Sequence, residues 1–135
     1  MVDNYRYIVV ERSGNVACVH LVKSRLDEEE VYALSRELLH LGRENGCPRI
    51  ALCLGPQTPE CLYSVFLARL ISLQRRLNEI GGELKLCQCT PQVIGVLEAC
   101  ALLDYFTLVD NPEDALGQWG VGPRADGSPP EVRPN

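Results

Sequence analysis

The sequence predicts an α/β domain with a mixed, mostly parallel five-stranded sheet, an N-terminal hairpin and about four helices. Strand-like and helix-like segments alternate over residues 49–119. Such alternation is typical of parallel strands joined by right-handed helical crossovers. Three helical segments also share an opening in which a capping side chain precedes proline: Thr58-Pro59, Thr90-Pro91 and Asn111-Pro112. The capping oxygen can accept a bond from the first free amides, and proline fills the first helical position at no loss.

The chain begins with a pattern typical of a β-hairpin. Residues 5–11 and 16–23 are each strand-like, and Ser13-Gly14-Asn15 between them has turn composition. Both faces of the second segment are largely apolar, so we expect this strand inside the sheet and covered on both sides.

The first helix has a clear start and a clear stop. Asp27 is followed three positions later by Glu30, which is the capping-box pattern, and Asn45-Gly46 with Pro48 bars continuation. Residues 50–54 are then continuously apolar, as expected of a central parallel strand.

The remaining segments complete the order β-β-α-β-α-β-α-β-α. Thr58 is predicted to open the second helix, whose apolar stripe extends from Leu62 to Ile80 and which ends at Gly81-Gly82. The later elements are a strand at residues 83–89, a helix at 90–103, a strand at 106–109 and a helix at 111–119. We interpret residues 1–119 as one domain. Glycine, proline and charge dominate residues 120–135, which we predict to be a disordered tail.

Composition limits the classes of partner. The 135 residues are 46% hydrophobic, which indicates a packed globule, and the net charge of −5 argues against nucleic acid or an anionic membrane as partner. The first residues are polar and do not resemble an export signal. With seven cysteines, the chain is expected to be cytoplasmic with reduced thiols.

No constellation of residues indicates catalysis. Cys87 and Cys89, two positions apart on a strand, should share one face and could suggest a redox pair or half a metal site. Packing is the favoured interpretation, because the two histidines, His20 and His40, lie in unrelated segments. Phosphate-loop, dinucleotide-binding, zinc-protease and serine-hydrolase motifs are all missing from the sequence. We therefore expect no enzyme, no cofactor and no bound metal.

The order of these segments resembles the STAS domain family (sulfate transporter and anti-sigma factor antagonist) over about residues 5–119. The likeness rests on residues 48–52, 64–77, 80–86, 90–103 and 111–116. They are similar to the family's central strand, its long second helix ending Leu-Gln-Arg-Arg-Leu, its Gly-Gly-x-Leu junction, and its third and closing helices.

The resemblance implies a stand-alone, non-enzymatic signalling module that binds an anti-sigma factor or serine-kinase-like partner. It also implies a phosphorylated serine on the second helix, which falls on Ser64 when the Arg-Arg-Leu ends are aligned. The family's flanking aspartate and Ser-Gly are replaced here by Tyr63 and Val65-Phe66. If the helix begins at Thr58, Ser64 lies one and a half turns inside it, where the helix dipole acts weakly.

Partner binding is predicted around the entrance of the second helix, and oligomerisation is left open. The predicted surface comprises Gly55, Gln57, Thr58, Glu60, Tyr63, Ser64 and Arg69. The alternative is a small-ligand, nucleotide or anion sensor that uses helix N-termini at Thr58 and Thr90. A thiol enzyme is a third hypothesis. Arg69, Arg75 and Arg76 are interpreted as a solvated helix face, with an anion- or partner-binding edge as the alternative.

Overall fold

The computed structural model describes residues 5–120, which form a five-stranded mixed sheet in the order β1-β2-β3-β4-β5. The strands are β1 (Ile8–Ser13), β2 (Val16–Leu21), β3 (Arg49–Cys53), β4 (Glu83–Cys87) and β5 (Thr107–Val109). β1 and β2 pair antiparallel, and the other neighbours pair parallel. The predicted fold class is confirmed. Apart from Gly120, the predicted tail lies outside the described residues.

Four helices cover the two faces of this sheet. They are α1 (Glu28–Arg43), α2 (Tyr63–Glu79), α3 (Pro91–Ala99) and α4 (Pro112–Gln118). α1 and α2 pack side by side on one face, where their leucines meet the apolar side chains of β3 and β4. α4 covers β3, β4 and β5 from the other face, above a smaller cluster that contains Cys18, Cys53, Cys87 and Ala115.

The N-terminal hairpin has a two-residue turn. Ser13 pairs with Val16, which leaves Gly14 and Asn15 as the loop, and Gly14 has a φ of +64°. This left-handed backbone suits glycine, as the turn composition predicted. β1 extends to Ser13 rather than ending at Glu11 as predicted. The first four residues of β2 are buried, which confirms the predicted interior position of β2.

The Gly81-Gly82 junction ends α2 as predicted. Gly81 has a φ of +81°, and the amide of Gly82 donates to the carbonyl of Leu77 at 2.7 Å, the bond that defines a Schellman end. A Cβ at Gly82 would lie 2.0 Å from the carbonyl oxygen of Pro48. Glycine is therefore needed for β4 to start beside β3. Ile80 was predicted to be part of the apolar stripe but is 45% exposed.

Two predicted boundaries were wrong because a non-glycine residue adopts a left-handed backbone. Ala101 has a φ of +58° and ends α3 at Ala99, with the amide of Leu102 bonded to the carbonyl of Leu97. Gln88 has a φ of +55°, just after β4 ends at Cys87. Neither turn carries glycine, the residue that normally signals such a stop.

Candidate functional site

The second helix begins four residues later than the sequence predicted, with its N-cap at Leu62 rather than Thr58. α2 starts at Tyr63, its N-cap is Leu62, and no side chain caps it. Thr58-Pro59 therefore does not open a helix, and that prediction was wrong. Thr90 and Asn111 do cap α3 and α4, accepting bonds from the amides of Val93 and Asp114 respectively.

The backbone of the loop before α2 is used in another way. Glu60 forms an isolated parallel bridge with Arg25: its amide donates to the carbonyl of Ser24 at 2.7 Å and its carbonyl accepts from the amide of Leu26 at 2.9 Å. The Arg25 guanidinium also lies 3.2 Å from the Glu60 carboxylate, although both side chains are exposed. These bonds hold Glu60 against the segment that precedes α1.

The hydroxyl of Thr58 is bonded within the fold. Its Oγ1 lies 2.7 Å from that of Thr90, the residue that caps α3. The predicted anion cleft between two helix N-termini therefore has only one helix N-terminus, at Thr90. The ligand-sensor alternative loses half of its structural basis.

Side-chain contacts brace the start of α2. The hydroxyl of Tyr63 donates to the carbonyl of Pro59 at 2.6 Å, and its ring meets that of Phe66 edge-on. Burial raises the pKa of Tyr63 to about 12 and the pKa of Cys61 to about 11. Both groups therefore remain neutral further into the alkaline range than they would in water. In contrast, the side chain of Leu62, which occupies the N-cap position, is 52% exposed.

Ser64 lies at the mouth of α2 and not inside it. It is the second residue of the helix and is exposed. The expectation that it lies one and a half turns inside was wrong, because it assumed a helix beginning at Thr58. At its actual position, a negative group on Ser64 would lie within the first turn, where free amides and the helix dipole favour it.

Most of the predicted partner-binding residues lie close together along the chain at this entrance. Gly55, Gln57, Thr58 and Glu60 belong to the loop, and Tyr63 and Ser64 belong to the first turn of α2. A Cβ on Gly55 would lie 2.2 Å from the carbonyl oxygen of Gln88, so the loop passes directly over the end of β4. Arg69 lies apart from them, with its Cζ 5.4 Å from the ring centre of Tyr32 on α1.

A cleft of about 300 Å³ adjoins the loop at the carboxyl ends of β2 and β3. His20, Lys23, Ser24 and Gln57 contribute polar groups to its lining. No local pattern in the sequence associated His20, Lys23 or Ser24 with the site. The available signal was the adjacency of two parallel strand ends, a usual position for binding clefts in α/β sheets.

Several of the cysteines pack as free thiols beneath α4 and around the loop. Cys53 and Cys87 lie opposite each other on β3 and β4, and their hydrogen bond lowers the pKa of Cys53 and raises that of Cys87. Cys87 and Cys89 do not share a face as predicted, because the left-handed Gln88 interrupts the strand; Cys87 lies under α4 and Cys89 packs against the opposite cluster. Within residues 5–120, no group of three or more potential ligands is arranged to hold a metal ion.

Comparisons with known proteins identify the fold. No family model matches the chain, and no curated protein sequence matches it. Among solved structures, a STAS domain protein of Planctomyces limnophilus is similar with 23% identity and a TM-score of 0.68, over 82% of this chain and 96% of that one. A Thermotoga maritima protein provisionally assigned as an anti-sigma factor antagonist gives 17% identity and a TM-score of 0.69, over 82% and 92%.

The Bacillus anti-sigma factor antagonist SpoIIAA in its unphosphorylated form is also similar, with 14% identity and a TM-score of 0.62, over 90% of this chain and 99% of that one. SpoIIAA has also been solved in a phosphorylated form. The chain therefore has the STAS fold, which confirms the resemblance at the level of fold. Among residues 5–120, none of the helices is both long enough and apolar enough to cross a bilayer.

Proposed function

We propose that this chain is a non-enzymatic signalling module that binds a regulatory partner of the anti-sigma factor or serine-kinase-like class, under phosphate control at Ser64. The observation that carries the proposal is the exposed position of Ser64 in the first turn of α2. Similarity in fold to SpoIIAA, which is known in phosphorylated and unphosphorylated forms, supports the same function.

The entrance of α2 has the properties of a docking surface. Leu62 is an apolar side chain that is 52% exposed, at a helix start fixed by the Tyr63–Pro59 bond. An exposed apolar residue on a rigid backbone can act as an interface anchor, because little conformational entropy remains to be lost on binding. We propose that the partner covers Leu62, Tyr63 and Ser64 together with the loop residues Gly55, Gln57, Thr58 and Glu60.

A phosphate on Ser64 would act through charge. It adds about −1.5 to −2 charges at neutral pH. The free amides at the start of α2 favour that charge in the unbound protein. In the complex, the same charge would have to be desolvated beside Leu62 and against the partner. We therefore propose that phosphorylation releases the partner without unfolding the module.

The buried free thiols support a proposal about the compartment. Cys18, Cys53 and Cys87 form one buried cluster beneath α4. Neighbouring thiols of this kind persist where the surroundings are reducing. We propose that the module works in the cytoplasm.

The experiment is co-purification of the tagged chain from its native cells, followed by mass spectrometry and phosphosite mapping. We expect one regulatory partner to be retained by the wild-type chain and by Ser64→Ala, and to be lost with Ser64→Glu. Ala68→Glu is the matched control, since Ala68 is exposed one turn further along α2. Retention of the partner by Ser64→Glu, or equal loss with Ala68→Glu, would contradict control at Ser64.

A further inference from the structure

A second polar cleft lies between α1 and α2, on a surface that the proposed partner does not use. Its volume is about 100 Å³. Three arginines contribute to its lining: Arg36 from α1, and Arg69 and Arg76 from α2. Ser35 and Ser72 lie beside them. A chain with a net charge of −5 thus concentrates positive charge in one small depression.

These arginines differ from the basic residues around the α2 entrance. Arg25 is paired with Glu60, and Lys23 is paired with Glu30. Among residues 5–120, no carboxylate forms an ion pair with Arg36, Arg69 or Arg76. No close ion pair within the described residues therefore competes with an anion for these guanidinium groups, although Arg36 also borders Asp27, Glu29 and Glu30 on its other side.

The side chains that line the cleft differ in how far they are already held by other contacts. The guanidinium of Arg69 stacks on Tyr32, with its Cζ 5.4 Å from the ring centre, which restricts that side chain before any ligand arrives. The hydroxyl of Ser35 donates to the carbonyl of Tyr32 at 2.9 Å. The hydroxyl of Ser72 has no such bond within residues 5–120 and is available to a ligand.

We propose that this cleft is a binding site for a phosphate monoester. A phosphate dianion offers several oxygen acceptors around one centre, and arginine supplies donors in a planar fork that fits them. The volume admits one tetrahedral anion and is well below the roughly 300–1,000 Å³ of pockets that bind drug-sized molecules. The ligand is accordingly a single phosphoryl group, either free in solution or carried on a phosphorylated side chain.

This site is separate from Ser64. Ser64 and Arg75 lie on the outer face of α2, whereas Arg69, Ser72 and Arg76 lie on the side that faces α1. Arg75 is exposed, adjacent in sequence to Arg76, and absent from the lining of the cleft. It therefore provides a control of equal charge and nearly equal position. The inference does not depend on the proposed function.

The experiment is NMR titration of the isotope-labelled full chain with inorganic phosphate, phenyl phosphate, a phosphoserine peptide and the same peptide with glutamate. We expect saturable shifts at Arg36, Arg69, Ser72 and Arg76. Affinity should fall about tenfold or more in Arg69→Gln/Arg76→Gln and stay within about twofold in Arg75→Gln, since charge-assisted bonds are lost only in the first. Thermal unfolding of each variant confirms that it is folded.

The probes separate the outcomes. Tighter binding of the phosphoserine peptide than of inorganic phosphate would identify a phosphorylated protein as the source, and equal binding would identify a free phosphate; both support the site. Shifts that do not saturate, or an equal loss in Arg75→Gln, would overturn it. Equal affinity for the glutamate peptide would overturn the assignment to phosphate, because general charge attraction would then explain the binding.

Discussion

The entrances of α2 and α4 carry similar dipeptides but adopt different structures. Asn111-Pro112 opens α4: Asn111 Oδ1 accepts a bond from the amide of Asp114 at 2.9 Å. Thr58-Pro59 opens no helix, and α2 begins instead at Tyr63 without a side-chain cap. A capping signal is therefore a local preference that neighbouring segments can override.

The difference has an energetic explanation. A side-chain cap stabilises a helix by about 1 kcal/mol. If no helix begins at Thr58, residues 58–60 can form other contacts. Glu60 makes two backbone hydrogen bonds with the segment before α1, Pro59 is buried, and Thr58 bonds to Thr90. Together these contacts exceed the contribution of one cap. Within residues 5–120, no comparable segment pairs with the backbone of Asn111.

The largest effect that separates the two entrances is expected for Gly55→Ala. The new Cβ would lie 2.2 Å from the carbonyl oxygen of Gln88, and backbone must move to accommodate it. We expect the free energy of unfolding in urea to fall by about 2–3 kcal/mol. Gly95→Ala in α3 is the control, since nothing lies within 4 Å of its Cβ and the change should stabilise by about 0.5–1 kcal/mol. A neutral Gly55→Ala would mean that the loop does not pass over Gln88 in solution.

The caps themselves provide the second comparison. Asn111→Ala removes the bond to the Asp114 amide and should lower the free energy of unfolding by about 1 kcal/mol. Thr58→Ala removes the bond to Thr90 and a longer, exposed contact of 3.3 Å with Gln92 Oε1. The oxygen of Thr90 remains available to the amide of Val93, so we expect a loss of about 0.5 kcal/mol. Equal losses in chemical denaturation would show that Thr58 acts as a cap after all.

Alkaline pH should weaken the α2 entrance through Cys61. Burial raises the pKa of this thiol from 9.0 to about 11, so the folded protein holds the proton more tightly than the unfolded chain. The stabilisation is complete below about pH 9 and is lost as the pH rises toward 11. Between pH 8 and pH 10, Cys61→Ala should therefore lose less stability than wild type, by less than about 1 kcal/mol because the half-buried thiol remains partly solvated.

The control for this pH dependence is Cys100→Ala, because Cys100 is exposed at the end of α3. The decline in its free energy of unfolding with pH should match that of the wild-type protein. A Cys61→Ala profile identical to that of Cys100→Ala would contradict the burial of Cys61.

The smallest expected effect tests where α2 begins. In Ser64→Asp the new carboxylate lies in the first turn of α2, so the free energy of unfolding should rise by about 0.3–1 kcal/mol at low ionic strength. Ala68→Asp places the same charge one turn further in and should give no gain. The gain should also diminish with added salt. If both variants behaved alike, the helix would begin before Tyr63.

The elements that the sequence predicted well have signals confined to their own residues. Asp27 and Glu30 form the predicted capping box, with bonds of 2.8 and 2.9 Å, and Gly81-Gly82 ends α2 as expected. The missed boundaries lacked such signals, since Ala101 and Gln88 adopt left-handed backbones usually left to glycine. The position of Ser64 within the candidate site was missed for a related reason. Thr58-Pro59 is a normal capping pattern. However, the backbone of Glu60 forms hydrogen bonds with the segment before α1, and the helix does not begin there.

Periodicity and capping act within a few residues, so they were enough to predict the order of strands and helices, the interior position of β2 and the caps of α1, α3 and α4. The position at which α2 begins, and with it the place of Ser64 at the mouth of the helix, follows only from the tertiary structure. The tertiary structure also decided that Arg36 joins Arg69 and Arg76 in one cleft. These features depend on pairing between residues at least 30 positions apart, such as Glu60 with Arg25 and Arg69 with Tyr32. Such pairing is settled by competition for backbone bonds and buried space, which no local pattern encodes.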